Sequence, residues 1–130
     1  MLARVVYYPT VSLVKRAVRV LRRLYPEDHI VFMRSVDDIL SAAKWCRLRA
    51  KSTRARILWY AACLFYYFIT GHPLSDGNKR CASLLILWFL ERNGYEVVGD
   101  LYTLALNIAL GKTSLEETCR WLGRHVRRSR

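Results

Sequence analysis

Two apolar stretches held apart by one short polar loop constrain this chain more than anything else in it. Residues 57–69 read Ile-Leu-Trp-Tyr-Ala-Ala-Cys-Leu-Phe-Tyr-Tyr-Phe-Ile, and residues 81–90 read Cys-Ala-Ser-Leu-Leu-Ile-Leu-Trp-Phe-Leu. A helix that is apolar nearly all round has no side to show to water, so both belong in a core. At about 10–13 residues each they fall short of the roughly 20 that cross a bilayer. The start, Met1 to Pro9, lacks the long apolar region of a signal peptide. A soluble cytoplasmic protein with no membrane partner is the expectation. Between the two stretches lies Gly71-His72-Pro73-Leu74-Ser75-Asp76-Gly77-Asn78-Lys79-Arg80. A loop this polar between two core helices needs a reason beyond connection.

The flanking chain predicts an all-α bundle of about six helices in one domain, residues 1–130. Val11, Val14, Val18, Leu21 and Tyr25 recur at helical spacing from a start near Thr10, and Pro26 stops the run. The other side of this first helix carries Lys15, Arg16, Arg19, Arg22 and Arg23, without interleaved aromatics, and reads first as a solvated face. His29 to Met33 looks extended, and Ser35 with Asp38 suggests the start of a helix over 37–49. Asn93-Gly94 ends the helix after the loop, residues 95–99 form a connector, and Asp100 caps a fifth helix. Gly111-Lys112-Thr113 mimics the end of a P-loop, but Leu106 stands where its first glycine belongs. The plainer reading is that Gly111 closes one helix and a Ser114/Glu117 capping box opens the last. That helix is expected to fray into a solvated basic tail, residues 124–130.

Composition narrows the partners. The net charge of +12 predicts attraction to nucleotides, nucleic acid, acidic proteins or an anionic surface without choosing among them. Cys46, Cys63, Cys81 and Cys119 form no Cys-x-x-Cys pair and have no histidine at zinc spacing. They read as small buried hydrophobes.

In the loop, Gly77 and Asn78 open the second core helix, whose first free N–H groups point toward any bound anion. Lys79 and Arg80 add cations at that same end, where the helix dipole disfavours them until a negative partner arrives. His72 can take and give protons near neutral pH, and Asp76 is a hard oxygen ligand suited to Mg²⁺. Base, metal ligand, N–H cradle and cations together are the parts of a nucleotide phosphate-transfer site.

The run from His72 to Arg80 resembles the signature of the Fic/Doc family, His-x-Phe-x-Asp/Glu-Gly/Ala-Asn-Gly/Lys-Arg, and is most similar to its Doc (death-on-curing) branch. The similarity continues through Phe89 to Tyr95, Leu115-Glu116-Glu117 and Trp121-Leu122, roughly the last 75 residues. The resemblance implies a Fic-like helical fold and a hairpin flap upstream of the signature, expected over residues 29–36, that pairs with the target's backbone. It implies His72 as general base toward a protein hydroxyl and Asp76 as the Mg²⁺ ligand. It further implies Gly77, Asn78 and Lys79 as a phosphate cradle and Arg80 as the grip on a terminal phosphate. Where family members carry Gly at position 79, AMP is transferred; Lys in the Doc branch goes with transfer of the γ-phosphate of ATP.

Lys79 therefore implies a Doc-like toxin-type protein kinase, with a translation factor as the precedent for a target. AMP transfer (AMPylation) is the alternative, and a non-catalytic nucleic-acid-binding helical module is the second. Leu74 departs from the signature Phe, which leaves a smaller apolar anchor. The family's inhibitory motif is missing, because Thr118 stands where Gly or Asn should follow Glu117. The resemblance then implies a separate antitoxin protein as a partner.

Overall fold

The computed structural model describes residues 5–129. Six α-helices follow one another: α1 (Val11–Leu24), α2 (Asp37–Cys46), α3 (Thr53–Gly71), α4 (Asn78–Arg92), α5 (Leu101–Ala109) and α6 (Leu115–His125). Two short strands, β1 (Tyr95–Val97) and β2 (Val126–Arg128), complete the described residues together with two 3₁₀ turns at Pro26–Asp28 and Arg47–Arg49. The all-α expectation holds.

The apolar stretches are the centre of the molecule. α3 buries residues on every side, Tyr60, Ala61, Ala62, Leu64, Phe65 and Phe68 among them at 0% exposure, because α2, α4, α5 and α6 all pack on it. α4 lies against α3, α1 and α5 and buries Cys81, Ala82, Leu85, Ile86, Phe89 and Leu90. Cys46, Cys63 and Cys81 are core residues, while Cys119 is half-buried against the core. Burial pushes the Cys81 thiol up to about 12 and the Cys119 thiol up to about 11, and the neighbouring thiols of Cys46 and Cys63 shift one another, the first down and the second up.

The boundary signals act largely as their chemistry requires. Thr10 and Ser52 cap α1 and α3, and Asp100 caps α5. Ser114 and Glu117 close a complete capping box on α6. α2 differs: it stops at Cys46 and tightens into the 3₁₀ turn over Arg47–Arg49, while Ser35 bonds Asp37 and not Asp38.

Two expectations are corrected. The tail does not fray, since β2 pairs antiparallel with β1, Val97 opposite Val126 and Tyr95 opposite Arg128. Val126 is buried, Arg127 meets Glu96 at 2.8 Å, and Arg54 reaches the Val126 carbonyl at 3.0 Å. The stretch 95–99, read as a connector, begins with the partner strand. Three residues per strand are too few for alternation to announce them.

Candidate active site

α3 ends because Pro73 excludes helical backbone at the residue before it. His72 takes the left-handed conformation instead, φ 47° and ψ 57°. A residue with a Cβ holds that conformation only when its surroundings impose it. They do so from both sides. Arg34 donates from Nε to the Gly71 carbonyl at 3.1 Å, placing a cation on the negative end of α3. Leu74, 2% exposed, anchors the loop in the core, so the smaller side chain at that position still buries.

Behind the anchor the loop is held by its own amide. Leu74 donates its N–H to Asn78 Oδ1 at 3.0 Å, and Asn78 Nδ2 donates back to the Leu74 carbonyl at 2.9 Å. Asn78 is thus a shaping residue whose side chain faces into the loop. On the opposite edge, Leu74 forms an antiparallel bridge with Phe32. The Met33 N–H donates to the Pro73 carbonyl at 2.7 Å and the Ser75 N–H to the Val31 carbonyl at 2.9 Å. In such a pair the N–H and C=O of Phe32 point away from the loop. The segment expected as a hairpin flap forms no hairpin among the described residues; it runs as a single stretch whose inner edge is tied to the signature loop itself.

Gly77 then opens α4 at φ 77°. A Cβ there would be strained by the backbone and would stand 3.3 Å from Ile30 Cδ1. Gly77 offers no side-chain cap and the first turn holds no acid. The N–H groups of Asn78, Lys79 and Arg80 donate to nothing among the described residues. They sit at the positive end of a helix of 15 residues.

A cleft of about 490 Å³ lies beside that helix start. Asp76, Gly77, Lys79 and Arg80 form its polar end, and Leu24, Leu84, Leu87 and Tyr102 belong to its apolar wall. Charged groups at one end and an apolar wall at the other suit a ligand with a phosphate tail and a flat ring system. Asp76 Oδ1 accepts from the Gly77 N–H at 2.7 Å, which leaves its second oxygen open. Arg80 spans to Asp28 at 3.3 Å and lies over the Tyr25 ring at 4.0 Å.

Four of the residues singled out from the sequence thus meet at one cleft. His72 does not line it. It is exposed at the far end of the loop, on the flap side, with no hydrogen bond on its ring among the described residues. Asp28, Tyr25 and Arg34 went unread, because each reaches the loop through tertiary packing that no spacing rule encodes. Among the described residues no group of three or more His, Cys, Asp or Glu side chains gathers to hold a metal. An ion here would rest on one carboxylate and on ligand oxygens, the usual arrangement for Mg²⁺ on phosphates, and the open oxygen of Asp76 fits it.

The family model described as "Fic/DOC family" matches residues 12–90. The match takes in α1 and ends in α4, so the similarity traced through Trp121-Leu122 lies beyond it. No curated protein and no solved structure matches the chain.

Proposed function

The chain belongs to the Fic/DOC family, a family of protein-modifying transferases, and from that premise we propose that it transfers the γ-phosphate of ATP to a hydroxyl of a target protein, as the Doc branch does. The observation that carries this reading is the uncapped start of α4, three free N–H groups and two cations, opening on a cleft that also has an apolar wall.

In the proposed reaction the phosphate tail lies on the N–H groups of Asn78, Lys79 and Arg80, with Gly77 leaving room for close approach. Arg80 turns from Asp28 to a terminal phosphate; an ion pair this exposed is worth only about 0.2–1 kcal/mol, so a dianion displaces it. Asp76 would hold Mg²⁺, which when bound neutralises charge on the phosphate oxygens. The target lies on the flap side, its backbone pairing with the outward N–H and C=O of Phe32 as an added strand. His72 takes the proton of the target hydroxyl as that oxygen bonds to the γ-phosphorus, and the bond to the bridging oxygen breaks to release ADP. General-base assistance of this kind is worth about 10²–10⁴-fold.

The γ-phosphate assignment rests on Lys79, which takes up room at the phosphate end of the cleft. Incubation of candidate target proteins with the chain, Mg²⁺ and ATP labelled at either the α- or the γ-phosphate tests it, with His72→Ala as control. Transfer of the γ label by the wild type, lost with His72→Ala, is expected. Transfer of the α label replaces the reading with AMPylation, and equal labelling by His72→Ala removes His72 as the base. A separate acidic antitoxin is the partner we propose for restraint, since the +12 charge favours one.

A further inference from the structure

The basic face of α1 is the feature that the transfer chemistry leaves unused, and the fold sets aromatic rings beside it. Lys15, Arg16, Arg19, Arg22 and Arg23 are all exposed, and α1 contains no acidic residue. At 100° per residue the five fall within a stripe about 120° wide. The N-terminal end of this stripe runs into a groove of about 770 Å³. Arg16 enters it from α1, Trp88 and Arg92 from the last turns of α4, and Tyr7 and Tyr8 from the segment that leads into α1. The Arg92 guanidinium lies 4.8 Å over the Tyr7 ring, and Tyr7 is 51% exposed. Glu91 is the one carboxylate among the lining residues, and it directs an anionic backbone toward the α1 side of the groove.

We propose that this groove and the α1 stripe together bind single-stranded nucleic acid. Bases stack on Trp88 and Tyr7, while the phosphates follow Arg16, Arg19, Arg23 and Lys15. The aromatic faces that the helix itself lacks come from Tyr7 and Trp88, two segments that only the fold brings to its side. Every base has a π-face, so such a platform tolerates most sequences. α1, with 14 residues, is about 21 Å long, a track for about four nucleotides, the lower end of what stacking platforms cover. A duplex offers the cations its phosphates but keeps its bases from the rings. A membrane surface is the poorer fit, because the exposed residues beside these cations on α1 are few and largely polar until Leu24.

The groove stands at the N-terminal end of α1 and the nucleotide cleft at its C-terminal end. Binding here is therefore separable from transfer. The test is fluorescence anisotropy without ATP, using labelled 12-mers of oligouridylate and oligothymidylate, a duplex of the same length, and phosphatidylserine vesicles. Wild type and His72→Ala should bind both single strands equally well and the duplex more weakly. Tyr7→Ala, whose backbone contacts survive, should weaken single-strand binding about tenfold and leave the salt dependence unchanged. The double variant Arg16→Ala/Arg19→Ala should lower the slope of log K against log salt by about 1.4. A preference for RNA or for DNA identifies the natural strand, and either supports the proposal. Three outcomes overturn it: duplex bound as tightly as single strand, affinity indifferent to both Tyr7→Ala and Arg92→Ala, or binding to vesicles alone.

Discussion

Asn78 and Asn93 do the same work at opposite ends of α4. Each places one amide group against the N–H and C=O of a residue that no helix or strand would otherwise satisfy, Leu74 in the first case and Tyr7 in the second. At the start of the helix the result is a loop with a fixed backbone and free N–H groups. Arg80 is the residue there whose partner is expected to change. Its contacts with Asp28 and Tyr25 are an exposed ion pair and a cation–π contact, each worth at most about 1 kcal/mol. Asp28→Asn removes the competing carboxylate without shortening the side chain. We expect it to tighten ATP binding about two- to fivefold, read by isothermal titration calorimetry, with the thermal midpoint nearly unchanged. Weaker binding would mean that Asp28 positions Arg80 for phosphate and does not compete with it.

Among the elements, α5 and α6 show how carboxylates set the acid side of stability. The Ser114 N–H donates to Glu117 and holds its carboxyl below the ordinary 4.5; the Thr103 hydroxyl does the same for Asp100 below 3.8. A carboxyl lowered in the folded state stabilises fully above its ordinary value, and the gain is lost as pH falls through the lowered one. Urea midpoints should therefore be flat from pH 7 to about 5 and drop below about 4.5. Glu117→Gln should flatten part of that drop, and Ser114→Ala should cost about 1 kcal/mol at neutral pH. A midpoint that rises on acidification would contradict the capping role. α3 and α4 have no such dependence on their ends. α3 is stabilised by burial on every side, whereas α4 buries only the face it turns to α1, α3 and α5 and leaves Leu84 and Leu87 on the cleft wall; the apolar composition of each window made both helices plain.

At the scale of the whole molecule, the tail is a working part. Ser129 donates to the Gly94 carbonyl at 3.0 Å and Val98 to the His125 carbonyl at 2.6 Å, extending the contact between β1 and the chain's end. Removing the chain from Val126 onward strips this ladder, exposes Tyr95, now 3% exposed, and leaves Arg54 only its longer bond to the Gly123 carbonyl at 3.4 Å. A loss of about 3 kcal/mol is expected from the buried side chains and hydrogen bonds, measured as a fall in the urea midpoint. An unchanged midpoint would make the strand pair incidental.

Those residues also mark where the sequence stops being informative. Helix number and most boundaries followed from periodicity and from capping chemistry that acts over three or four residues, as at Thr10, Asp100 and Ser114. The polar loop was legible for the same reason, since Asp76 to Arg80 form one helix start and need no distant partner to be chemically odd. The β2 tail, the Asp28 and Tyr25 contacts to Arg80, the seating of Phe32 on Leu74 and the rings beside α1 were not legible. Each joins segments far apart in the chain, and only packing decides which distant segments meet. Local physics determined what the pieces are and where the phosphate end of the candidate site lies. Tertiary structure alone decided that His72 stands outside the cleft, that Arg80 already has a partner, and that Arg16, among the α1 cations, shares a groove with Tyr7 and Trp88.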